Sequence, residues 1–118
     1  MASTYTANTG IEKIGSGEQA GTWGTTTNTN FDIIDDALNG VLSLAISGNT
    51  TLTTSDGTAS NGHHKVILLT DSVSSAFNLT IAPNDQQKWY FINNNTDQIC
   101  TALQGGGSGT TVAIGAGA

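Results

Sequence analysis

The chain is nearly without positive charge. It has no arginine, and only Lys13, Lys65 and Lys88 stand against nine acidic residues in 118, for a formal net charge of −6 and an isoelectric point near 4.3. A surface that follows a phosphate backbone needs clustered Lys or Arg, so the composition argues against nucleic acid as a partner. The same shortage argues against attraction to an anionic membrane surface. No stretch approaches the ~18 consecutive apolar residues of a membrane span, so no membrane insertion is expected. The single cysteine, Cys100, excludes an internal disulfide. Met1 to Tyr5 shows no basic segment leading into an apolar run, so the expectation is synthesis in a cytosol without a secretory signal. The N-x-T triplets at Asn49, Asn78 and Asn94 then have no meaning as glycosylation acceptors.

Charge of either sign is scarce. Charged residues make up 10%, against about a quarter in ordinary soluble domains, and Thr, Asn, Ser and Gly carry the polar balance instead. Disorder usually goes with high charge, so this composition does not fit it. It fits β-structure with many turns, because Thr favours strands while Asn and Gly favour tight turns. A chain of 118 residues makes one domain with a modest core and little burial to spare as a free monomer.

Residues 1–40 read as an arm, a glycine-punctuated loop and a helix. Met1 to Gly10 is polar and reads as an arm or edge strand, with Tyr5 as its one candidate anchor; Ile11 and Ile14 follow, and Gly15 closes the arm. An arm without a core of its own is expected to lie against another element or another chain. Glycines on both sides of Trp23 free the backbone there, and its indole needs somewhere to be buried. The ring either plugs the chain's own core or docks on a neighbouring subunit. Thr27, Asn28 or Thr29 is the expected N-cap of a helix of about three turns, with Asp32 in its first turn and Gly40 as its stop. Phe31, Ile34, Ala37, Leu38 and Val41 recur at helical spacing and define its apolar face, which is too short to stand unpacked.

From Val41 the hydrophobic period becomes two. Strands are expected at Val41–Ile46, Thr50–Thr54, Lys65–Thr70 (apolar enough for burial on both faces), Phe77–Ile81, Lys88–Asn93, Ile99–Gln104 and Thr111–Ile114. Turn signals separate them at Gly48-Asn49, Asp56-Gly57, Asn61-Gly62 and Pro83-Asn84-Asp85, with a polar hairpin loop at Asn93–Asp97 and a flexible turn at Gly105–Gly109. Short strands every 8–12 residues argue for an all-β architecture. The predicted fold is therefore mainly β: a small β-sandwich, barrel or prism-like domain over residues 41–118, preceded by the arm and one short amphipathic helix. Gly115 to Ala118 carries no stop signal of its own, so either the β-domain is short and ends here or it continues in a longer protein, the second being favoured.

Candidates for chemistry are few. His63-His64 is the only histidine pair, but adjacent residues of a strand point to opposite faces and a metal site needs three or four convergent ligands. Asp32, Asp35 and Asp36 share helical spacing suited to paired carboxylates, yet they read more simply as a solvated acidic face. Cys100 has no cationic neighbour in sequence to lower its pKa and reads as a small buried filler. Gly105–Gly109 lacks the Lys-Ser/Thr of a phosphate loop, and Gly15, Gly17 and Gly21 miss the dinucleotide spacing. Trp89-Tyr90-Phe91 is a candidate sugar platform, although alternation turns one face of it into the core. No catalytic, cofactor-binding or metal residue is predicted, and the chain reads as non-enzymatic.

The run GIEKIGSGEQAGTWGTTTNTNFDIIDDAL, from Gly10 to Leu38, resembles the N-terminal signature of a family of tailed-bacteriophage virion proteins of the marine and cyanophage type, tail fibre or structural proteins. That signature joins a Thr/Asn-rich start, a G-(D/E)-Q-(A/S)-G-x-W-G loop and a T-N-T-N cap to an amphipathic helix. It covers about a quarter of the chain; the remainder is only weakly similar to the β-rich region that often follows. The resemblance implies a virion structural protein, the anchoring part of a tail fibre or tail-associated protein. The alternatives are a capsid decoration or head-fibre protein and, from another class, a glycan-binding module. It further implies other virion proteins of the tail or capsid as partners, a homo-oligomer with a trimer favoured, and a host surface glycan as a further partner in host attachment. Tyr5, Ile11, Ile14, Trp23, Phe31, Ile34 and Leu38 would supply the virion or inter-subunit docking contacts.

Overall fold

The computed structural model describes residues 2–106 and 109–118; the centre of the predicted Gly105–Gly109 turn lies outside them. In chain order the elements are β1 (Thr4–Tyr5), β2 (Glu12–Lys13), α1 (Trp23–Asn39), β3 (Val41–Ala45), β4 (Thr50–Thr53), a 3-10 turn (Asn61–His63), β5 (Val66–Thr70), β6 (Phe77–Ala82), β7 (Phe91–Asn94), β8 (Cys100–Gln104) and β9 (Val112–Ile114). The fold is mainly β, with one helix after a short arm.

Successive strands alternate between two sheets. One has the order β3-β5-β7, the other β4-β6-β8-β9. Every pairing among β3 to β8 is parallel; only β9 turns back antiparallel onto β8. The chain thus winds through three coils of a two-sheet parallel solenoid, with the core between the sheets. The Asn93–Asp97 segment is a corner rather than the expected hairpin loop, because β7 and β8 belong to opposite sheets. A period of two reports which side chains point inward but not which strand lies alongside, so alternation alone could not distinguish hairpins from coils.

The first sheet carries a strict repeat. Val41 pairs with Val66 and Val66 with Phe91, a step of 25 residues each time. The inward positions stack as Leu42–Ile67–Ile92 and Leu44–Leu69–Asn94. Ile67, Leu69, Phe77, Leu79, Leu52, Ile46, Val73 and Cys100 form the buried cluster. Val66 and Leu68 on the outer face are half-buried, so β5 is not covered on both faces as its composition predicts.

Asn94 breaks the apolar ladder at the last coil. Its side chain is fully buried and fully used. Nδ2 donates to the carbonyls of Gln98 (2.8 Å), Ile114 (3.0 Å) and Gly115 (3.3 Å). Oδ1 accepts from the Thr96 N–H (3.1 Å) and hydroxyl (2.6 Å). One amide therefore ties the β7–β8 corner to the segment that folds back over the end of the solenoid, where the next coil's Leu would have no partner below it.

The helix begins earlier than predicted. Gln19 (φ 59°) and Gly21 (φ 84°) take left-handed backbone, and the N–H groups of Thr22 and Trp23 both donate to Gln19 O at 2.9 Å. That turn forms the helical nucleus upstream of the T-N-T-N cap. The helix has 17 residues, no side-chain N-cap and no acid in its first turn, so Asp32 sits mid-helix. Gly40 does end it, but in extended backbone (φ −68°, ψ 134°) rather than a left-handed cap. Glycine is needed there because a Cβ would stand 2.6 Å from Asp36 O. The molecule measures 51 × 27 × 20 Å with a radius of gyration of 16.1 Å, longer than the roughly 13.5 Å of a compact chain this size.

Candidate functional site

Two faces of α1 have the same spacing and opposite character. Thr26, Asn30, Ile33 and Ala37 turn toward the chain itself: Ile33 is wholly buried and the others half-buried. Asn30 clamps the arm, accepting from Glu12 N (3.0 Å) and donating to Glu12 O (2.9 Å), while Thr26 bonds Gln19. One residue further on, Thr27, Phe31, Ile34 and Leu38 repeat the four-three-four step. Phe31 is 63%, Leu38 60% and Ile34 38% exposed, and Trp23 at the head of this face is 60% exposed. Trp23 does not plug the chain's own core; it is the first residue of the helix and faces outward. The stripe continues in sequence into Val41, which shares the outer face of the first sheet with its register partners Val66 and Phe91.

The arm residues sit differently. Tyr5 is exposed but lies over Gly57, where a Cβ would meet its ring at 2.8 Å. Ile11 and Ile14 are half-buried. β1 and β2 pair as a two-residue ladder, and Gly10 binds the 55–57 loop through its carbonyl, which accepts from Gly57 N at 2.7 Å. The structure thus gathers Trp23, Phe31, Ile34 and Leu38 on one surface and leaves Tyr5, Ile11 and Ile14 as contacts of the arm.

His63 is structural. It is buried; Nδ1 accepts from Ser60 N (3.1 Å), which places the ring proton on Nε2, where it is donated to Thr9 O (2.7 Å). Burial holds its pKa below the usual histidine value, with the nearby Lys88 cation adding to the effect. His64 stands 3.7 Å from Asp36. Among the described residues no cluster of three His, Cys, Asp or Glu side chains converges on a metal position. Cys100 is buried, and burial raises its thiol pKa, the reverse of an activated nucleophile.

A second surface feature takes in Trp89 and Tyr90 of the candidate sugar platform, together with residues that no local motif links to them. A cavity of about 240 Å³ opens between the arm, the helix and the 87–90 segment. Lys65 and Lys88 both line it, with Trp89 and Tyr90, and no carboxylate does. The Lys65 ammonium lies 4.6 Å from the Trp89 ring centroid, and Trp89 packs obliquely on Phe91 at 5.2 Å. Lys88 bonds Thr54, and burial lowers its pKa to about 8. Lys65 stands 23 residues before Lys88 and 24 before Trp89, and the arm residues of the lining are further still, which kept the cluster out of reach of any local motif.

The features define a class: a small parallel β-solenoid domain with an outward-facing apolar helix. Comparison with protein-family models, with curated proteins and with solved structures finds no match. Among the described residues no helix is long and apolar enough to cross a membrane.

Proposed function

We propose that the chain is a non-enzymatic structural protein of a tailed-phage particle, the anchoring part of a tail fibre or tail-associated protein, and that it assembles as a homotrimer through α1. The phage attribution rests on the resemblance of residues 10–38. The assembly rests on one observation: Phe31, Ile34 and Leu38 are apolar and largely bare and, with the half-buried Thr27 ahead of them, are spaced four, three and four apart. That is the seam spacing with which identical helices pack side by side. The helix meets its own chain through hydrogen bonds and one isoleucine, so its larger hydrophobic surface remains for a partner. Val41 and Phe91 would extend the contact onto the sheet.

Sedimentation of the purified chain tests the assembly. The expected result is a trimer that Leu38→Ser and Phe31→Ser each convert to monomer without loss of β-structure. A wild-type monomer removes self-assembly and shifts weight to a decoration or adaptor subunit whose helix is covered by another virion protein. Antibodies against the chain test the location: labelling of particle tails is expected, labelling of heads supports the decoration reading, and labelling of neither sinks the virion assignment.

A further inference from the structure

The chain has nine carboxylates and three lysines. In so acidic a protein a surface lysine should readily find an acid. Yet two of the three lysines line one cavity from which every carboxylate is absent, and among the described residues no lysine stands within 4 Å of a carboxylate; the one basic side chain that does is His64, beside Asp36. Asp36 is not part of the cavity lining, but it stands 3.7 Å from His64, which is.

The remaining lining supplies the complement. Trp89 is 68% exposed, an unusual position for an indole with no role. Asn8 accepts from Gln87 N at 3.0 Å through Oδ1, which leaves its amide N–H₂ and the Gln87 side chain for a ligand. The Tyr90 hydroxyl donates to Gly62 O at 2.7 Å and retains its lone pairs as acceptors. Lys88 spends one proton on Thr54 and keeps two. Aromatic surface, amides and unpaired cations together make a poor site for a bare inorganic ion and a poor site for a neutral apolar ligand.

We propose that this cavity binds an acidic sugar, a pyranose bearing a carboxylate such as a uronic acid. The C–H face of the ring lies against Trp89, the carboxylate sits between Lys65 and Lys88, and the hydroxyls meet Asn8 and Gln87. Lys65 exchanges its contact with the indole for the carboxylate, a stronger partner because the hydrogen bond is charge-assisted on both sides. At about 240 Å³ the cavity lies just under the roughly 300 Å³ where pockets for drug-sized ligands begin, so it takes one sugar ring, whether free or at the end of a polysaccharide. The inference does not depend on the virion reading or on trimer formation.

The test is a titration of the chain with sodium glucuronate, followed through the two indole N–H resonances. Trp23 lies on the far stripe and serves as the internal control. A saturating shift at Trp89 alone is expected, with a Kd on the order of 1 mM for so small a ligand. Glucose and methyl glucuronate, which lack the charge, should bind at least about tenfold more weakly, as should the Lys65→Gln and Lys88→Gln variants. Lys65 is read first, since its replacement at the cavity edge disturbs no buried bond and an unchanged backbone spectrum then excludes misfolding. The proposal is overturned if glucuronate leaves Trp89 unmoved, if glucose binds equally well, if K65Q binds like the wild type, or if acetate and inorganic phosphate reproduce the shift. The last result would reduce the site to an anion trap in which the aromatic wall has no part.

Discussion

The solenoid and the N-terminal helix solve opposite problems. In the coils, apolar side chains go inward and even the one inward amide, Asn94, has every polar atom paired. In the helix, the polar Asn30 and Thr26 go inward and the apolar Phe31, Ile34 and Leu38 go out. A domain that stabilises itself spends its hydrophobic surface internally; an element meant for a partner keeps that surface available. The contrast predicts that damage to the coils unfolds the chain, whereas damage to the outer helix face leaves it folded.

The largest effect should come from Asn94. Asn94→Ala strands three carbonyls and the Thr96 groups, at a cost on the order of 3 kcal/mol. Asn94→Asp keeps the shape but turns a double donor into an acceptor facing those carbonyls, and should cost about 4 kcal/mol or abolish folding. Urea unfolding measures both. If N94D is as stable as the wild type, the capping role assigned to this amide is wrong.

Neighbouring isoleucines give the sharpest version of the comparison. Ile33 is fully buried and Ile34 is 38% exposed. Ile33→Ala should cost ~3 kcal/mol, and Ile34→Ala less than about 1 kcal/mol in a monomer. In a trimer the two costs converge, because Ile34 is then buried too. Thermal melts at two protein concentrations separate these cases: a concentration-dependent loss in I34A supports self-assembly, and a concentration-independent one argues against it.

This pair also marks the limit of what the sequence discloses. Periodicity found the helix and its apolar stripe, and alternation found nearly every strand, because both depend on neighbours within one element. It could not say that the stripe faces outward, since the inward face 26, 30, 33, 37 is the same pattern shifted by one residue and is polar in two positions. Nor did it reveal the coil. The 25-residue step is present in VLSLA, VILLT and FINNN, but it is short, occurs three times and ends on asparagine where leucine stood before. The apolar stripe of the helix was legible as a set; the pairing of Lys65 and Lys88 in one cavity was not, because it is made by the winding of the coils.

A smaller effect is expected at His63, which joins the arm to the solenoid through Thr9. Burial keeps its pKa below the ordinary value of 6.5. Below that pH the unfolded chain takes up a proton that the folded chain resists, so this residue's contribution is intact above pH 6.5 and is lost as the pH falls further. His63→Gln should cost about 1–2 kcal/mol at neutral pH and flatten the fall in stability between neutral and mildly acidic solution. Denaturation curves across that range decide it: an unchanged slope in H63Q would place the acid sensitivity elsewhere.

The smallest effect bears on a helical glycine that the fold does not explain. Gly24 is helical, follows Trp23, and a Cβ there would meet nothing within 4 Å. Its φ is not positive, so no backbone demand keeps it. Glycine in a helix costs roughly 0.5–1 kcal/mol relative to alanine, so Gly24→Ala should raise the stability of the isolated chain by about that amount. The same substitution places a methyl group beside the exposed Trp23. If G24A is more stable yet sediments as a smaller species, the glycine serves close approach by a second copy, and the helix has given up stability of its own to keep that approach open. If G24A is more stable and assembles unchanged, the interface begins no earlier than Thr27, and Trp23 belongs to a different contact.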